Sequence, residues 1–104
     1  MRILPLALIL SLLAVAPAGA ATKNVKVRDD SFKPKTVTVA KGTTVKWNWV
    51  GSHQHNVTVT KGPVHFQSAL KRSGSFKRTM KKRGTYKIIC TIHAPDMRMT
   101  LTVR

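Results

Sequence analysis

From Asn24 onward, apolar and polar residues alternate with a period of two, and β-branched residues outnumber good helix formers in every candidate segment. "NVKV" sets Val25 and Val27 on one side, and "TVTVA" does the same for Val37 and Val39 before a turn at Lys41-Gly42. "TVKWNWV" puts Val45, Trp47 and Trp49 on one face, with Lys46 and Asn48 on the other. Gly51-Ser52 interrupts, and "HNVTVT" brings His55, Val57 and Val59 into phase. Three further segments follow: "GSFKRTM" with Phe76 and Met80, "GTYKIIC" with Tyr86, Ile88 and Cys90, and "MTLTV" with Met99, Leu101 and Val103. Arg78 shares the phase of Phe76 and Met80, a conflict that a bulge or a sheet edge resolves. The stretch from Lys61 to Ser73 has no such rhythm and reads as a loop or a short helix. About seven short strands with closely spaced turn signals predict an all-β antiparallel sandwich or barrel.

The first twenty residues break this pattern. "MRILPLALILSLLAVAPAGA" has one charge, Arg2, an apolar run from Ile3 to Val15, and small residues ending in Ala18-Gly19-Ala20. Residues 1–20 are therefore expected to be a signal peptide cut after Ala20, with Ala16-Pro17-Ala18 as the alternative site. The run is too short and wrongly flanked for a spanning helix. Residues 21–104 would then form one exported domain without a transmembrane segment, periplasmic, secreted or associated with the cell surface. About 84 residues hold only a small core, and small exported domains commonly add disulfides or a metal. With Cys90 the sole cysteine, an internal disulfide is impossible and a metal remains.

Charge narrows the partners. Lys and Arg number 19 against three acids, Asp29, Asp30 and Asp96, so the mature domain carries about +15 once Arg2 is removed from the formal +16. The densest stretch, Lys71 to Lys87, has eight basic residues and no acid. It is either a solvated face or a docking surface for acidic partners. Nucleic acid suits such a charge in the cytoplasm but conflicts with the export signal.

Strand phase also locates chemistry. His55 shares a side with Val57 and Val59, and Cys90 with Tyr86 and Ile88, so both are expected to point inward at strand ends, near loops. The loop after Cys90 carries His93, Met97 and then Met99. One thiolate, two imidazoles and a thioether at one pole make the His₂Cys set with a weak axial Met that holds copper for electron transfer. A structural zinc would want more thiolates than this chain has. Of the other histidines, His53 reads as a surface residue or one just behind the ligands, and His65 as surface.

These residues carry a resemblance. "DDSFKPKTVTVAKGTTVKWNWVGSHQHNV" and "GTYKIICTIHAPDMRMTLTVR" are similar to the first half and the ligand-bearing end of small cupredoxins, the type 1 blue copper proteins of the plastocyanin, amicyanin and pseudoazurin group. The resemblance implies a Greek-key β-sandwich with one Cu(II)/Cu(I) ion held by His55, Cys90, His93 and a Met. It gives Asn56 the family's hydrogen bond between the two ligand segments, and His93 the role of electron port. The three-residue gap before Met97 departs from the commoner spacings. Alignment from "TLTV" favours Met97 as axial ligand, and phase places Met99 in the core. The expected function is an exported carrier of single electrons between acidic redox partners. A copper-delivery protein without electron transfer, and a metal-free module for an anionic cell-surface polymer, are the alternatives. An enzyme is not expected, because no nucleophile, base and oxyanion set is visible.

Overall fold

Between Ala21 and Arg104, the residues described by the computed structural model, the alternation becomes eight strands. The leader expected over residues 1–20 lies outside the described residues. The strands are β1 (Thr22–Arg28), β2 (Ser31–Lys33), β3 (Thr36–Val39), β4 (Thr44–Trp49), β5 (Thr58–Lys61), β6 (Ser75–Thr79), β7 (Gly84–Ile89) and β8 (Arg98–Val103). They form two four-stranded sheets, ordered β2-β1-β4-β6 and β3-β8-β7-β5. No helix among the described residues is long and apolar enough to cross a membrane.

The expected sandwich is present, but its sheets are mixed rather than wholly antiparallel. β1 runs parallel to β4, and β3 parallel to β8, while the remaining neighbours are antiparallel. The cause is the connectivity: most consecutive strands lie in opposite sheets, so neighbours within a sheet are seldom joined by a hairpin. The Lys41-Gly42 turn, with Gly42 at φ 94°, carries the chain from β3 in one sheet to β4 in the other.

The predicted inward sets are buried, except that Phe76 on the edge strand β6 is only partly covered. Val25, Val27, Val45, Trp47, Tyr86, Ile88 and Leu101 are wholly enclosed between the sheets. Burying each such side chain contributes about 1.5–3 kcal/mol relative to exposure, so the apolar layer dominates the stability of so small a domain. Two polar tips within it find partners: Trp47 Nε1 donates to Met99 Sδ at 3.4 Å and Tyr86 Oη to the Lys82 carbonyl at 2.8 Å.

Local departures have local causes. β2 is only three residues long, too short to show alternation, yet it returns Phe32 to the core across the Asp29-Asp30 turn. Arg78 lies on β6, the edge of its sheet, in unbroken register with β4, and its guanidinium sits 5.0 Å from the centre of the Phe66 ring. The edge, not a bulge, removes the conflict. The stretch after Lys61 is irregular and forms no helix. It folds back along residues 55–59, with hydrogen bonds from Val59 N to Phe66 O (3.0 Å) and from Ser68 N to Val57 O (2.8 Å).

Candidate metal centre

The two segments that carry the candidate ligands meet at one end of the sandwich. Cys90 follows the last residue of β7, and its side chain points inward with no exposure, continuing the phase of Tyr86 and Ile88. His55 is also wholly buried, but by a different route from the expected one. β5 begins only at Thr58, and His55, Asn56 and Val57 are buried in succession. His55 is instead clamped to Lys71 by reciprocal backbone hydrogen bonds of 3.0 and 3.1 Å, and its carbonyl accepts from Trp49 Nε1 at 3.2 Å. This irregular pairing turns the imidazole toward Cys90.

Asn56 joins the segments. Its Nδ2 donates to Thr91 Oγ1 and its Oδ1 accepts from Thr91 N, both at 2.9 Å; Asn56 itself is almost fully buried, while Thr91 is exposed. The loop after Cys90 closes on itself: Cys90 N donates to Met97 O at 3.0 Å, His93 N to Cys90 O at 3.3 Å, and Met97 N to His93 O at 3.3 Å. Met97 is wholly buried at the root of this loop. Met99 lies on β8, where its sulfur already accepts the Trp47 indole proton. His93 keeps 30% of its side chain exposed, with Ile92, Ala94 and Pro95 exposed around it.

The ring nitrogens are sorted by direction. Nδ1 of His55 lies 3.8 Å from Cys90 Sγ, and Nδ1 of His93 lies 3.7 Å from it. The three donor atoms fall within 4.8 Å of one another. With metal bonds of roughly 2.0 Å to nitrogen and 2.3 Å to sulfur, a sulfur and a nitrogen set 120° apart stand roughly 3.7 Å from each other, and tetrahedral angles bring them closer. Both observed sulfur–nitrogen distances suit such a set, which fits His₂Cys copper.

The opposite nitrogens face carboxylates. His55 Nε2 is 3.3 Å from Asp29 Oδ1 and His93 Nε2 is 3.1 Å from Asp30 Oδ1. Such a partner holds the Nε2–H tautomer and leaves Nδ1 free as donor. Asp29 is itself fixed, accepting from Ser52 N and His53 N at 2.9 Å and from Ser52 Oγ at 3.2 Å. The His53 amide, above all, holds its carboxyl far below the usual carboxylate range. Gly51 is required beside it, because a Cβ there would overlap the Asp29 carboxylate. His53 stands over the pair, with ring centres 6.2 Å from His55 and 6.4 Å from His93, and Nδ1 3.5 Å from Asp30 Oδ1. His65 is exposed and outside this group.

Sequence reasoning missed Asp29 and Asp30 as partners of the imidazoles, because turn residues carry no phase. The available signal was scarcity: two of only three acids stand together in a strongly basic chain.

Comparison with known proteins agrees with this geometry. A family model described as a cupredoxin-like domain matches residues 2–103. A plastocyanin from Prochlorothrix hollandica is 33% identical over 107 residues, covering 88% of this chain and 80% of that protein. A reduced amicyanin variant superposes with a TM-score of 0.71 at 26% identity, covering 85% of this chain and 86% of that one. A Cu-containing nitrite reductase from Thermus scotoductus gives a TM-score of 0.70 at 27% identity over 88% of this chain. The chain spans about a quarter of that enzyme's length, 26%.

Proposed function

The chain belongs to the cupredoxin-like domain family, and from that premise we propose that it is an exported carrier of single electrons whose copper is held by His55, Cys90, His93 and Met97. One observation carries the ligand set: both imidazoles turn Nδ1 toward a fully buried thiol at 3.7 and 3.8 Å, while both Nε2 atoms are taken by carboxylates. The cofactor is one copper ion, which supplies a Cu(II)/Cu(I) couple when bound.

The protein's own contribution is rigidity. The Asn56–Thr91 bridge and the closed loop from Cys90 to Met97 hold the donors in place before metal arrives, so little needs to move between oxidation states. Soft sulfur donors suit Cu(I) and imidazoles suit both states. Met97 would supply the thioether donor, because Met99 is committed to Trp47. His93 is the electron port: it combines a nitrogen aimed at the thiol with an exposed edge, rimmed by Ile92, Ala94 and Pro95. Four protein donors leave no position for a substrate, in keeping with a carrier rather than an enzyme.

The basic stretch is not gathered at the port. Lys71 and Arg72 lie beside the His55 segment, β6 carries Lys77 and Arg78 along the sheet edge, and Lys81 to Arg83 occupy the far end. It therefore guides acidic redox partners through its summed field, with an on-rate that falls as salt rises.

Voltammetry of the copper-loaded protein tests the carrier role. A reversible one-electron wave with copper retained through repeated cycles is expected. Loss of copper to an acceptor on each reduction would instead make this a delivery protein.

A further inference from the structure

His93 stands between two sets of donors. Its Nδ1 faces Cys90, and its Nε2 faces Asp30 Oδ1 at 3.1 Å, with His53 Nδ1 3.5 Å from the same oxygen. Asp30, His53 and His93 can each offer one atom within 4.8 Å of the others, a spacing that one ion can bridge. Asp29 does not belong to this outer set, since its oxygens are occupied by Ser52 and the His53 amide.

Exposure falls stepwise along this line. Asp30 and His53 side chains are 57% and 56% exposed, His93 is 30% exposed, and Cys90 and His55 are not exposed at all. A cation approaching the thiol from water therefore meets Asp30 and His53 first. The chain's net +16 repels it elsewhere, and the Asp29-Asp30 turn is a local exception. Nitrogen and oxygen donors suit the divalent state of copper, whereas the inner sulfurs suit the monovalent one. A neutral imidazole has one acceptor nitrogen, so His93 can serve only one side at a time. The outer set is available before the inner one fills and closes afterwards, when Nε2–H again donates to Asp30.

We infer that Asp30 Oδ1, His53 Nδ1 and His93 Nε2 form a capture site for Cu(II) on the way to Cys90, which rests on the reading of Cys90 as an inner ligand. In the exchange inward, bonds to Asp30 Oδ1, His53 Nδ1 and His93 Nε2 are replaced by bonds to Cys90 Sγ and the Nδ1 atoms of His55 and His93, while His93 releases its Nδ1 proton and takes one up at Nε2. The thiol proton passes to solvent, and copper keeps its oxidation state.

Rapid mixing of metal-free protein with limiting Cu(II), followed by growth of the thiolate-to-copper band, tests this directly. His53→Ala should slow filling about tenfold or more while the final band keeps its height and position. This variant leaves the formal charge unchanged, which separates a lost donor from lost attraction. Asp30→Asn should also slow filling, and Asn tolerates the positive φ of 66° at that turn. Filling of His53→Ala at the unsubstituted rate overturns the inference. A second arm does not depend on the thiol. In Cys90→Ser, adding His53→Ala should weaken binding of one Cu(II) equivalent about tenfold, read by the nitrogen and oxygen signature in electron paramagnetic resonance. Unchanged affinity there overturns the capture site even if no variant ever shows the band, an outcome that would separately refute the inner ligand set.

Discussion

The two ends of the sandwich are closed by different chemistry. At the far end the chain seals itself with backbone groups: Gly42 N donates to Met80 O, Met80 N to Thr43 O, and Lys41 N to Arg104 O, at 2.7–2.9 Å. Around them stand Lys41, Lys81, Lys82 and Arg83 without an acid. At the metal end, side chains add ties that the backbone bonds of His55 with Lys71 and of Cys90 with Met97 do not supply: Asn56 bridges to Thr91, Asp29 ties the Gly51–His53 turn, and Trp49 reaches the His55 carbonyl. Backbone closure survives most substitutions, whereas side-chain closure can be removed one residue at a time. The same β framework thus supports an end that tolerates change and an end that depends on particular residues.

The sharpest way to break this contrast is at Asn56. Asn56→Ala removes both hydrogen bonds to Thr91, costing about 1–3 kcal/mol in unfolding by denaturant at about 0.5–1.5 kcal/mol each. It should also weaken copper binding about 10–100-fold, measured by competition with a chelator.

The two methionines give the next largest effect. Met97→Leu should shift the reduction potential and the visible spectrum clearly. Met99→Leu should leave both nearly unchanged and lower stability by about 1–3 kcal/mol, because the buried Trp47 N–H loses its acceptor. The reverse order would reassign the axial ligand.

A smaller effect comes from Asp29 in the metal-free protein. Its carboxyl is held below its ordinary value of 3.8 in the folded state, so the unfolded chain takes up the proton first. Its contribution is present above that ordinary value and is lost as pH falls below it. Asp29→Asn should therefore flatten the acid limb of the melting temperature below about pH 4 while leaving the slope near neutrality unchanged.

The smallest effect belongs to the far end. Lys81→Ala with Lys82→Ala should leave the copper spectrum untouched and stability within about 0.5 kcal/mol, since the Lys82 carbonyl that receives Tyr86 Oη is retained. A spectral change there would show that the two ends are not independent.

How much of this was legible beforehand differs by feature. Alternation exposes β4 and β8 because three inward residues in each repeat the same phase, and it brings Cys90 to the end of β7 correctly. His55 was found for a partly wrong reason. It is buried, but outside β5 and through its pairing with Lys71, a contact across sixteen positions that strand phase does not encode. β2 is too short for a periodic signal, and parallel pairing depends on which sheet each connection enters, a property of the assembled fold. Asp29, Asp30 and His53 become chemical only when the β1–β2 turn is laid against the ligands.

The central claim is that Cys90 and the two inward Nδ1 atoms make one trigonal copper site. Titrating the metal-free protein with Cu(II) and recording the visible spectrum tests it most directly. One equivalent should produce an intense thiolate-to-copper band that is absent from Cys90→Ser. No band in the unsubstituted protein, or a band of equal strength in Cys90→Ser, would contradict it.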